Sequence, residues 1–367
     1  MRLGVDLHVL QGINQGSKTY LDNIYSSLPM RNSGIDLVFL FNSDKPVPKK
    51  WGEFGEIQYF NTSGNLARIA YDAAKLQKKL GLDAFHSQYI CPLFSSSKDI
   101  VTIHDVLFET HPQYFSTAFN LRSKLLVRRS AKRAAQILTV SKYSKDRICE
   151  IYGIDESRVA VTSNGVDMDM FAGIDVQQAA QDIKSVYGLS DYILTVGRLE
   201  PRKNHINLLK AYALLKNDEP DLPPLAIVGQ RDFGYEKIFH FIEKNRLTGC
   251  VKIVENADFD TLRKLYKCAR LFVYPSFAEG FGIPPLEAMA AGCPVICSNT
   301  TSMKEVFSEG AVMIDPFNVE ELVEALRTSI YDSSSAGVMR DRSLTISEHY
   351  SWDRSSGALL NAINRMF

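Results

Sequence analysis

Two glutamates flank a glycine-rich turn in the segment SFAEGFGIPPLEAMAAG, which covers residues 276–292. Glu279 and Glu287 lie on opposite sides of that turn, and two carboxylates so placed can accept hydrogen bonds from the vicinal hydroxyls of a sugar. Gly280 and Gly282 allow the main chain to approach a ligand closely, with N–H groups directed at hydroxyls or phosphates. The segment therefore predicts a polyol-binding loop.

A short helix should follow this turn. Pro285 is suited to a first helical turn because its missing N–H has no partner there, and Gly292 is suited to the position that ends the helix. The pattern predicts that Glu287 lies in the first turn of this helix.

A second segment, VGRLEPRKNH at residues 196–205, carries Arg198, Arg202 and Lys203 directly after an apolar run. Arginine donates to phosphate oxygens in pairs, lysine supplies a point charge, and a following helix adds its positive N-terminal end. Taken alone, the segment fits a solvated basic loop equally well. Together with the glutamate turn, it predicts a diphosphate site.

Other acidic and histidine clusters are weaker candidates. His104, Asp105, Glu109 and His111 lie close together in sequence, but their spacing matches no helical metal-binding motif. Asp167-Met168-Asp169 also matches an acidic triplet that can bind a metal ion, but chance explains this match better. We therefore predict no metal site.

The elements that must position these residues are strands alternating with helices. The first half contains seven short β-rich runs (GVDL, LVFLF, IQYF, AFHS, IVTIHD, ILTVS, VAVTSNG) and the second half six (YILTVG, LAIVG, VKIV, LFVYPS, PVICSN, AVMID). Parallel strands need crossover connections, so this alternation predicts an α/β protein with two Rossmann-like, doubly wound parallel-sheet domains. A length of 367 residues suits two such domains. Ligands of these sheets bind beyond the carboxyl ends of the strands, where both segments lie.

Domain boundaries follow from the same pattern. The polar segment 168–191 separates the two sets of strands and predicts a hinge. We expect a first domain at 1–170, a second domain at 171–345, and a C-terminal helix at 346–367. Trp352 should lie where two terminal helices join.

Composition excludes several classes of protein. The chain is 45% hydrophobic and 23% charged, which excludes disorder, and 42 basic residues balance 42 acidic ones, so we expect no nucleic-acid partner. Six scattered cysteines without paired spacing suit reduced thiols.

The opening MRLGVDLHVL lacks the apolar core of a signal peptide, and no apolar run has bilayer-spanning length. We expect a cytoplasmic protein.

Joined in order, these motifs give the chain a family resemblance. It resembles the retaining glycosyltransferases of family 4, also called group 1, which have the GT-B fold and act in bacterial polysaccharide assembly. The resemblance rests on Glu279 with Glu287, the 196–205 segment, ILTVSKYSKDRI at 137–148, SNGVD at 163–167, IHD at 103–105 and YSWD at 350–353.

The resemblance implies a role for each matching residue. Arg198 and Lys203 would hold the donor diphosphate, Glu287 the ribose, and Glu279 the transferred sugar. His104 would reach the sugar and the acceptor, which makes it a catalytic candidate with Arg198, Lys203 and Glu279. The remaining donor-binding candidates are Gly12, Gly16, Gly280, Phe281, Gly282 and Leu286. The loop with Gly12 and Gly16 lacks the arginine that many relatives carry there.

The implied reaction is transfer of a hexose from a nucleoside-diphosphate sugar, of the GDP-mannose or UDP-glucose type, to a saccharide or lipid-diphosphate-linked acceptor. Retention of configuration, no cofactor and no metal are implied, in two domains that face a cleft. The resemblance also implies that residues 1–170 bind the acceptor, that residues 171–345 bind the nucleotide sugar, and that the helix at 346–367 crosses back onto the first domain. The alternatives are a GT-B-shaped nucleotide-sugar epimerase, a sugar phosphorylase, or a non-catalytic bilobal sugar-binding protein.

One segment of the chain has a marked excess of basic residues, which bears on whether the protein contacts a membrane. The segment from Arg122 to Arg147 contains nine basic residues and one acidic residue, Asp146. Such a segment can contact an anionic membrane at its inner face, or it can be a solvated helix face.

Overall fold

The computed structural model describes residues 1–12, 15–62, 64 and 67–367. Two units are present: one contains residues 1–164 and 352–367, and the other contains residues 165–351. The divisions after residues 164 and 351 replace the boundaries after 170 and 345 that the sequence suggested.

The first unit is built on a parallel sheet of seven strands in the order β3-β2-β1-β4-β5-β6-β7. All seven predicted runs form these strands. They are β1 (Arg2–Asp6), β2 (Asp36–Asn42), β3 (Glu56–Phe60), β4 (Ala84–Gln88), β5 (Lys98–Thr102), β6 (Gln136–Thr139) and β7 (Val159–Val161).

The helices of the first unit lie between these strands in sequence. They are α1 (Gly16–Ser26), α2 (Leu28–Arg31), α3 (Trp51–Phe54), α4 (Ala73–Leu80), α5 (Leu107–Thr110), α6 (Thr117–Arg133) and α7 (Lys142–Tyr152). Helix α6 begins after Ser116, whose side chain accepts a hydrogen bond from the Phe119 N–H. This cap satisfies one of the donors that a helix start leaves unpaired.

The second unit is built on a parallel sheet of six strands in the order β10-β9-β8-β11-β12-β13. All six predicted runs form strands: β8 (Ile193–Val196), β9 (Leu225–Val228), β10 (Val251–Val254), β11 (Leu271–Tyr274), β12 (Val295–Ser298) and β13 (Val312–Ile314). Strand β8 lies between β9 and β11, so the strand order reverses at β8. Such a reversal opens a crevice at the carboxyl ends of the strands.

The helices of the second unit precede, separate or follow these strands in sequence. They are α8 (Val176–Tyr187), α9 (His205–Asp218), α10 (Glu236–Lys244), α11 (Phe259–Cys268), α12 (Ile283–Ala290), α13 (Thr301–Phe307), α14 (Val319–Tyr331) and α15 (Ser333–His349). Leu208, Tyr212 and Leu215 of α9 join Ile227 and Val273 of the sheet in one buried core.

The hinge expected at residues 168–191 is instead mostly helix. Asp175 caps α8 by accepting from the Gln177 and Gln178 N–H groups, and Ala179 and Ile183 are buried one turn apart. A cap and one apolar stripe are enough to form this helix in a polar segment.

The C-terminal segment returns to the first unit as α16 (Trp352–Asn364). Trp352 stands at its start, as expected, and its ring contacts Tyr20 edge-on at 6.4 Å between centroids. Residues 346–351, which we expected to cross back with this helix, remain in the second unit. Among the helices that the structure describes, none combines the length and apolarity needed to cross a bilayer.

Candidate active site

Two loops of the second unit meet because their strands are neighbours. Strands β8 and β11 are paired in parallel, so the loops that follow them leave the same edge of the sheet. Asn204 joins them: its side-chain amide donates to the carbonyl oxygens of Pro275 at 2.9 Å and Pro316 at 2.8 Å. Asn204 has a left-handed conformation with φ of 58°, which asparagine tolerates better than most residues.

Glu279 is the centre of a buried polar network between these loops. Its side chain is one of the buried polar groups, at 7% exposure. Oε1 accepts from Lys203 Nζ at 2.6 Å, Ser276 Oγ at 2.6 Å and the Tyr274 hydroxyl at 3.0 Å. Oε2 accepts from Arg202 Nη1 at 2.7 Å. Four donors from two segments, the loop after β8 and the end of β11, therefore fix this carboxylate.

The charge of Glu279 is set by competition between burial and its partners. Burial alone would raise the carboxyl pKa, but the charges of Arg202 and Lys203 outweigh it and lower the pKa to about 2. Glu279 is therefore anionic at neutral pH. A carboxylate with four hydrogen bonds is a weak nucleophile and a well-oriented acceptor for a hydroxyl.

Lys203 retains donor capacity beyond Glu279. Its ammonium donates to Glu279 Oε1 and to the Tyr274 hydroxyl, both at 2.6 Å. An ammonium has three N–H donors, so one is left for a further acceptor. The lysine side chain also lies over Gly197, at 3.5 Å from the point where a Cβ would stand.

Arg198 takes a different partner. Its Nη1 donates to Asp232 Oδ2 at 2.6 Å, and both side chains are about one-third exposed. Asp232 follows β9, and the two loops run close together: a Cβ on Gly229 would lie 1.9 Å from the Gly197 carbonyl oxygen. Glycine is therefore required for this approach.

The glutamate turn has the predicted helix. Gly282 adopts φ of +102° just before α12, and a Cβ there would lie 3.0 Å from the Phe307 ring. Phe281 is buried against Tyr350, edge-on at 5.4 Å, and Leu286 is fully buried. The helix ends before Gly292, whose φ is +76°. These contacts fix the turn that carries Gly280, whose main chain follows Glu279 directly.

Glu287 lies in the second turn of α12 because the helix begins at Ile283, earlier than the proline pattern suggested. Its Oε2 accepts from the Tyr266 hydroxyl of α11 at 2.8 Å. Burial raises the pKa of the Glu287 carboxyl to about 7, although the Tyr266 hydrogen bond opposes the shift. Among the described residues no cation forms an ion pair with Glu287.

His104 lies in the first unit, directly beyond β5. Its Nε2 is 2.6 Å from Gln88 Oε1, and its ring meets Tyr20 edge-on at 5.0 Å between centroids. Burial lowers the His104 pKa to about 4, so the imidazole is neutral at pH 7. With Gln88 Oε1 accepting, Nε2 carries the proton and Nδ1 is the acceptor atom.

The glycine loop of the first unit is described only in part. Gly12 ends a helical turn at His8–Gln11, and its N–H donates to the Val9 carbonyl at 3.1 Å. Gly16 is the first residue of α1. Residues 13 and 14, which separate them, lie outside the described residues.

The histidine and acidic residues near position 104 enter separate contacts. Glu109 pairs with Lys124 at 3.2 Å, Asp105 accepts from the Leu107 N–H at 3.0 Å, and His111 Nδ1 contacts Thr110 Oγ1 at 2.8 Å. In the part of the chain that the structure describes, no three His, Cys, Asp or Glu side chains form a metal-binding group.

The structure thus brings together some predicted residues and separates others. Lys203 and Glu279 share one network, whereas Arg198 and Glu287 each have a partner of their own. The partners that sequence analysis did not assign are Arg202, Asp232, Tyr266, Tyr274 and Ser276. All except Tyr266 stand at or just beyond the carboxyl end of a strand, the position where ligands of such sheets bind.

Comparison with known proteins gives two family matches. Residues 15–170 match the family described as Glycosyltransferase Family 4, and residues 177–343 match the family described as Glycosyl transferases group 1. Neither match includes the last residues of the chain.

Individual relatives extend these matches. The chain is 31% identical over 263 residues to the O-antigen chain mannosyltransferase B of Escherichia coli, covering 72% of this chain and 69% of that protein. It is also 31% identical over 239 residues to the serotype-specific mannosyltransferase WbdA of Escherichia coli, covering 64% of this chain but only 29% of that longer protein. The fold matches Anabaena HepE, solved in complex with UDP and glucose, with a TM-score of 0.78, 19% identity and 100% of both chains covered.

Proposed function

This chain belongs to the group 1 and family 4 glycosyltransferases, and from that membership we propose that it transfers a hexose from a nucleoside-diphosphate sugar to a saccharide acceptor in polysaccharide assembly. Mannose is the favoured sugar, from a donor of the GDP-mannose type, because the relatives described above are mannosyltransferases. A UDP-glucose-type donor is the alternative, because the HepE structure contains UDP and glucose.

The observation that carries the proposal is the network around Glu279. Lys203 and Arg202 are largely buried cations on the loop after β8, and Lys203 keeps one N–H donor for a phosphate oxygen. A buried, preorganised cation stabilises the charge that a leaving diphosphate gains more strongly than the same cation in water. Arg198, on the loop that also carries Lys203, would supply a second, planar donor to the same diphosphate.

The sugar and the ribose would be bound by the two glutamates. Glu279 is anionic and oriented by four donors, so its remaining lone pairs suit a sugar hydroxyl. Glu287 would accept from the ribose hydroxyls beside Tyr266. Gly280, Phe281, Gly282 and Leu286 would line the donor through the turn and the start of α12.

We propose transfer with retention of configuration. The bond between the anomeric carbon and the diphosphate oxygen breaks, the acceptor oxygen bonds to that carbon on the same face, and the acceptor proton passes to the leaving phosphate oxygen. This route needs no protein nucleophile, in agreement with the four hydrogen bonds that hold the Glu279 carboxylate in place. The assigned roles of His104, Gly12 and Gly16 stay predictions.

The acceptor would be a saccharide carried on a lipid diphosphate. The segment from Arg122 to Arg147 would then give the protein peripheral contact with an anionic membrane, because cations near such a surface attract acidic lipids. The proposal requires neither a cofactor nor a metal ion.

The test combines ligand binding with turnover. A thermal-shift panel of UDP, GDP, ADP and dTDP, with their sugar derivatives, should give a selective rise in Tm for one nucleotide, since a ligand that binds the native state stabilises it. With that donor and a saccharide acceptor, Lys203→Met should slow transfer about 100-fold or more, the usual cost of losing one charge-stabilising donor.

The matched control is Lys244→Met at the exposed end of α10, which should transfer at the wild-type rate. If no nucleotide shifts the Tm, or if both lysine variants behave alike, the proposed site is wrong.

A further inference from the structure

Helix α6 of the first unit carries an exposed stripe of leucines followed by cations. Leu121 and Leu125 are 73% and 71% exposed, and Arg128 and Lys132 are exposed beyond them. The spacing of four, three and four residues places these side chains on one face of the helix. The opposite face is buried, at Ser123, Val127, Ser130 and Ala131.

Two cations of this region that are unpaired among the described residues lie on that face. Four of the nine cations between Arg122 and Arg147 are already in ion pairs with carboxylates: Lys124 with Glu109, Arg133 with Asp99, Lys145 with Glu156 and Arg147 with Glu150. Arg128 and Lys132 form no ion pair with any residue that the structure describes. Their charge is therefore available to an anionic partner.

A third exposed apolar side chain, that of Phe94, stands near the basic end of α6. Arg129 and Arg133 both donate to the Leu93 carbonyl oxygen, each at 2.6 Å. This holds the next residue, Phe94, near the helix, and Phe94 is 64% exposed. Phe94 thus adds an exposed apolar side chain near the basic end of α6.

We propose that this face, formed by Leu121, Leu125, Arg128, Lys132 and Phe94, docks on an anionic lipid bilayer with its apolar side chains inserted among the acyl chains. The inference rests on the membrane contact in the proposed function and names the residues that would insert. It assigns that contact to one face of α6 and the neighbouring Phe94 instead of the whole segment from Arg122 to Arg147.

A bilayer fits the face better than a second copy of the chain. Exposed leucines that no side chain covers gain free energy in the acyl region, and lipid phosphates neutralise the cations next to them. A second copy would bring like charges together on the same stripe. Stable protein interfaces also bury about 800 Å² per partner, and two leucines and one phenylalanine supply only part of such an area.

The experiment measures sedimentation of the full chain with vesicles of phosphatidylcholine alone and of phosphatidylcholine mixed with phosphatidylglycerol. The wild type should bind the mixed vesicles, and added salt should weaken binding. The variant R128E/K132E should bind at least about tenfold more weakly, since each cation near the surface contributes about fivefold. The variant L121S/L125S should also bind about tenfold more weakly or worse, because its insertion is lost.

The matched control is K184E/V186S on α8, which makes the same kinds of change at exposed positions in the second unit. It should bind vesicles as the wild type does. The proposal is overturned if the wild type does not bind the mixed vesicles, or if both α6 variants bind them as strongly as the wild type does. It is also overturned if the wild type self-associates in sedimentation velocity and L121S/L125S abolishes that self-association.

Nucleotide-dependent thermal shifts and transfer to a water-soluble acceptor, measured on the same variants, keep this inference separate from the proposed function. Both should be unchanged in the α6 variants. Vesicle binding without any nucleotide-dependent rise in Tm would support the docking face and contradict the donor site. A nucleotide-dependent rise in Tm without vesicle binding would support the donor site and contradict the docking face.

Discussion

Donor binding should depend on the protonation of Glu287. An ionised carboxylate can accept hydrogen bonds from two ribose hydroxyls. In the protonated acid one oxygen carries a proton and donates, so it accepts less well, and binding therefore favours the ionised form. Because the Glu287 pKa is raised to about 7, only about one carboxyl in eleven is protonated near pH 8, but about ten in eleven are protonated near pH 6. The apparent affinity should therefore fall about tenfold between these pH values.

Calorimetric titration with the intact nucleotide sugar measures this effect cleanly, because its diphosphate is esterified at both ends and does not titrate in the range. Near pH 7, binding should release about half a proton, measured from the dependence of the heat on buffer ionisation enthalpy. Glu287→Gln should bind more weakly and show no such pH dependence. Tyr266→Phe removes the hydrogen bond that opposes the shift, so its midpoint should move to higher pH.

A wild-type affinity that stays constant across this range, with the same value in Glu287→Gln, would refute the assignment of Glu287 to the ribose. An affinity that rises as the pH falls would show that the protonated acid donates to the ligand, and would reverse the assigned role.

Three further predictions concern the neighbouring loops. Asp232→Asn removes the carboxylate that competes for Arg198, so nucleoside diphosphates should bind about twofold to fivefold more tightly in titrations, while nucleosides should bind unchanged. Gly229→Ala should lower the free energy of unfolding in urea by about 3 kcal/mol or more because its Cβ overlaps a main-chain carbonyl, whereas Gly249→Ala, with open space around it, should change it by less than about 0.5 kcal/mol. Glu279 has its pKa lowered from 4.5 to about 2, so its ionisation stabilises the protein above pH 4.5 by about 3 kcal/mol and that contribution is lost as the pH falls toward 2. Glu279→Gln should therefore have a lower Tm than the wild type at neutral pH and approach it in acid; equal differences at both pH values would contradict this.

The sheets were predictable because their strands are buried on both faces. Segments such as LAIVG and LFVYP read as continuous apolar runs, and all thirteen predicted runs form strands. The helix within residues 168–191 was not predicted, for a related reason. Helix α8 buries only Ala179 and Ile183, and two apolar residues in a polar segment are too few to distinguish a helix from a linker by composition.

Only those parts of the site that lie within a single sequence segment could be predicted. Glu279 and Lys203 stand in motifs that can be recognised locally, but the pairing of Arg202 with Glu279 joins residues 77 positions apart. That contact depends on β8 and β11 being neighbours, and strand order is a tertiary property that periodicity does not encode. The same applies to Tyr266, which reaches Glu287 from a helix whose sequence shows only an ordinary amphipathic pattern.

The two groups of cations differ in how readily they can change partners. The Arg198–Asp232 pair is partly exposed, and such pairs contribute only about 0–1 kcal/mol, so a diphosphate can displace the aspartate at little cost. The pairs of Glu279 with Arg202 and Lys203 are buried, and breaking a buried pair costs about 3–5 kcal/mol. Lys203 need not break its pair, because its third N–H is available. On this reasoning we expect Arg198 to move onto an arriving diphosphate, and we expect Lys203 and Glu279 to stay in place and orient the sugar.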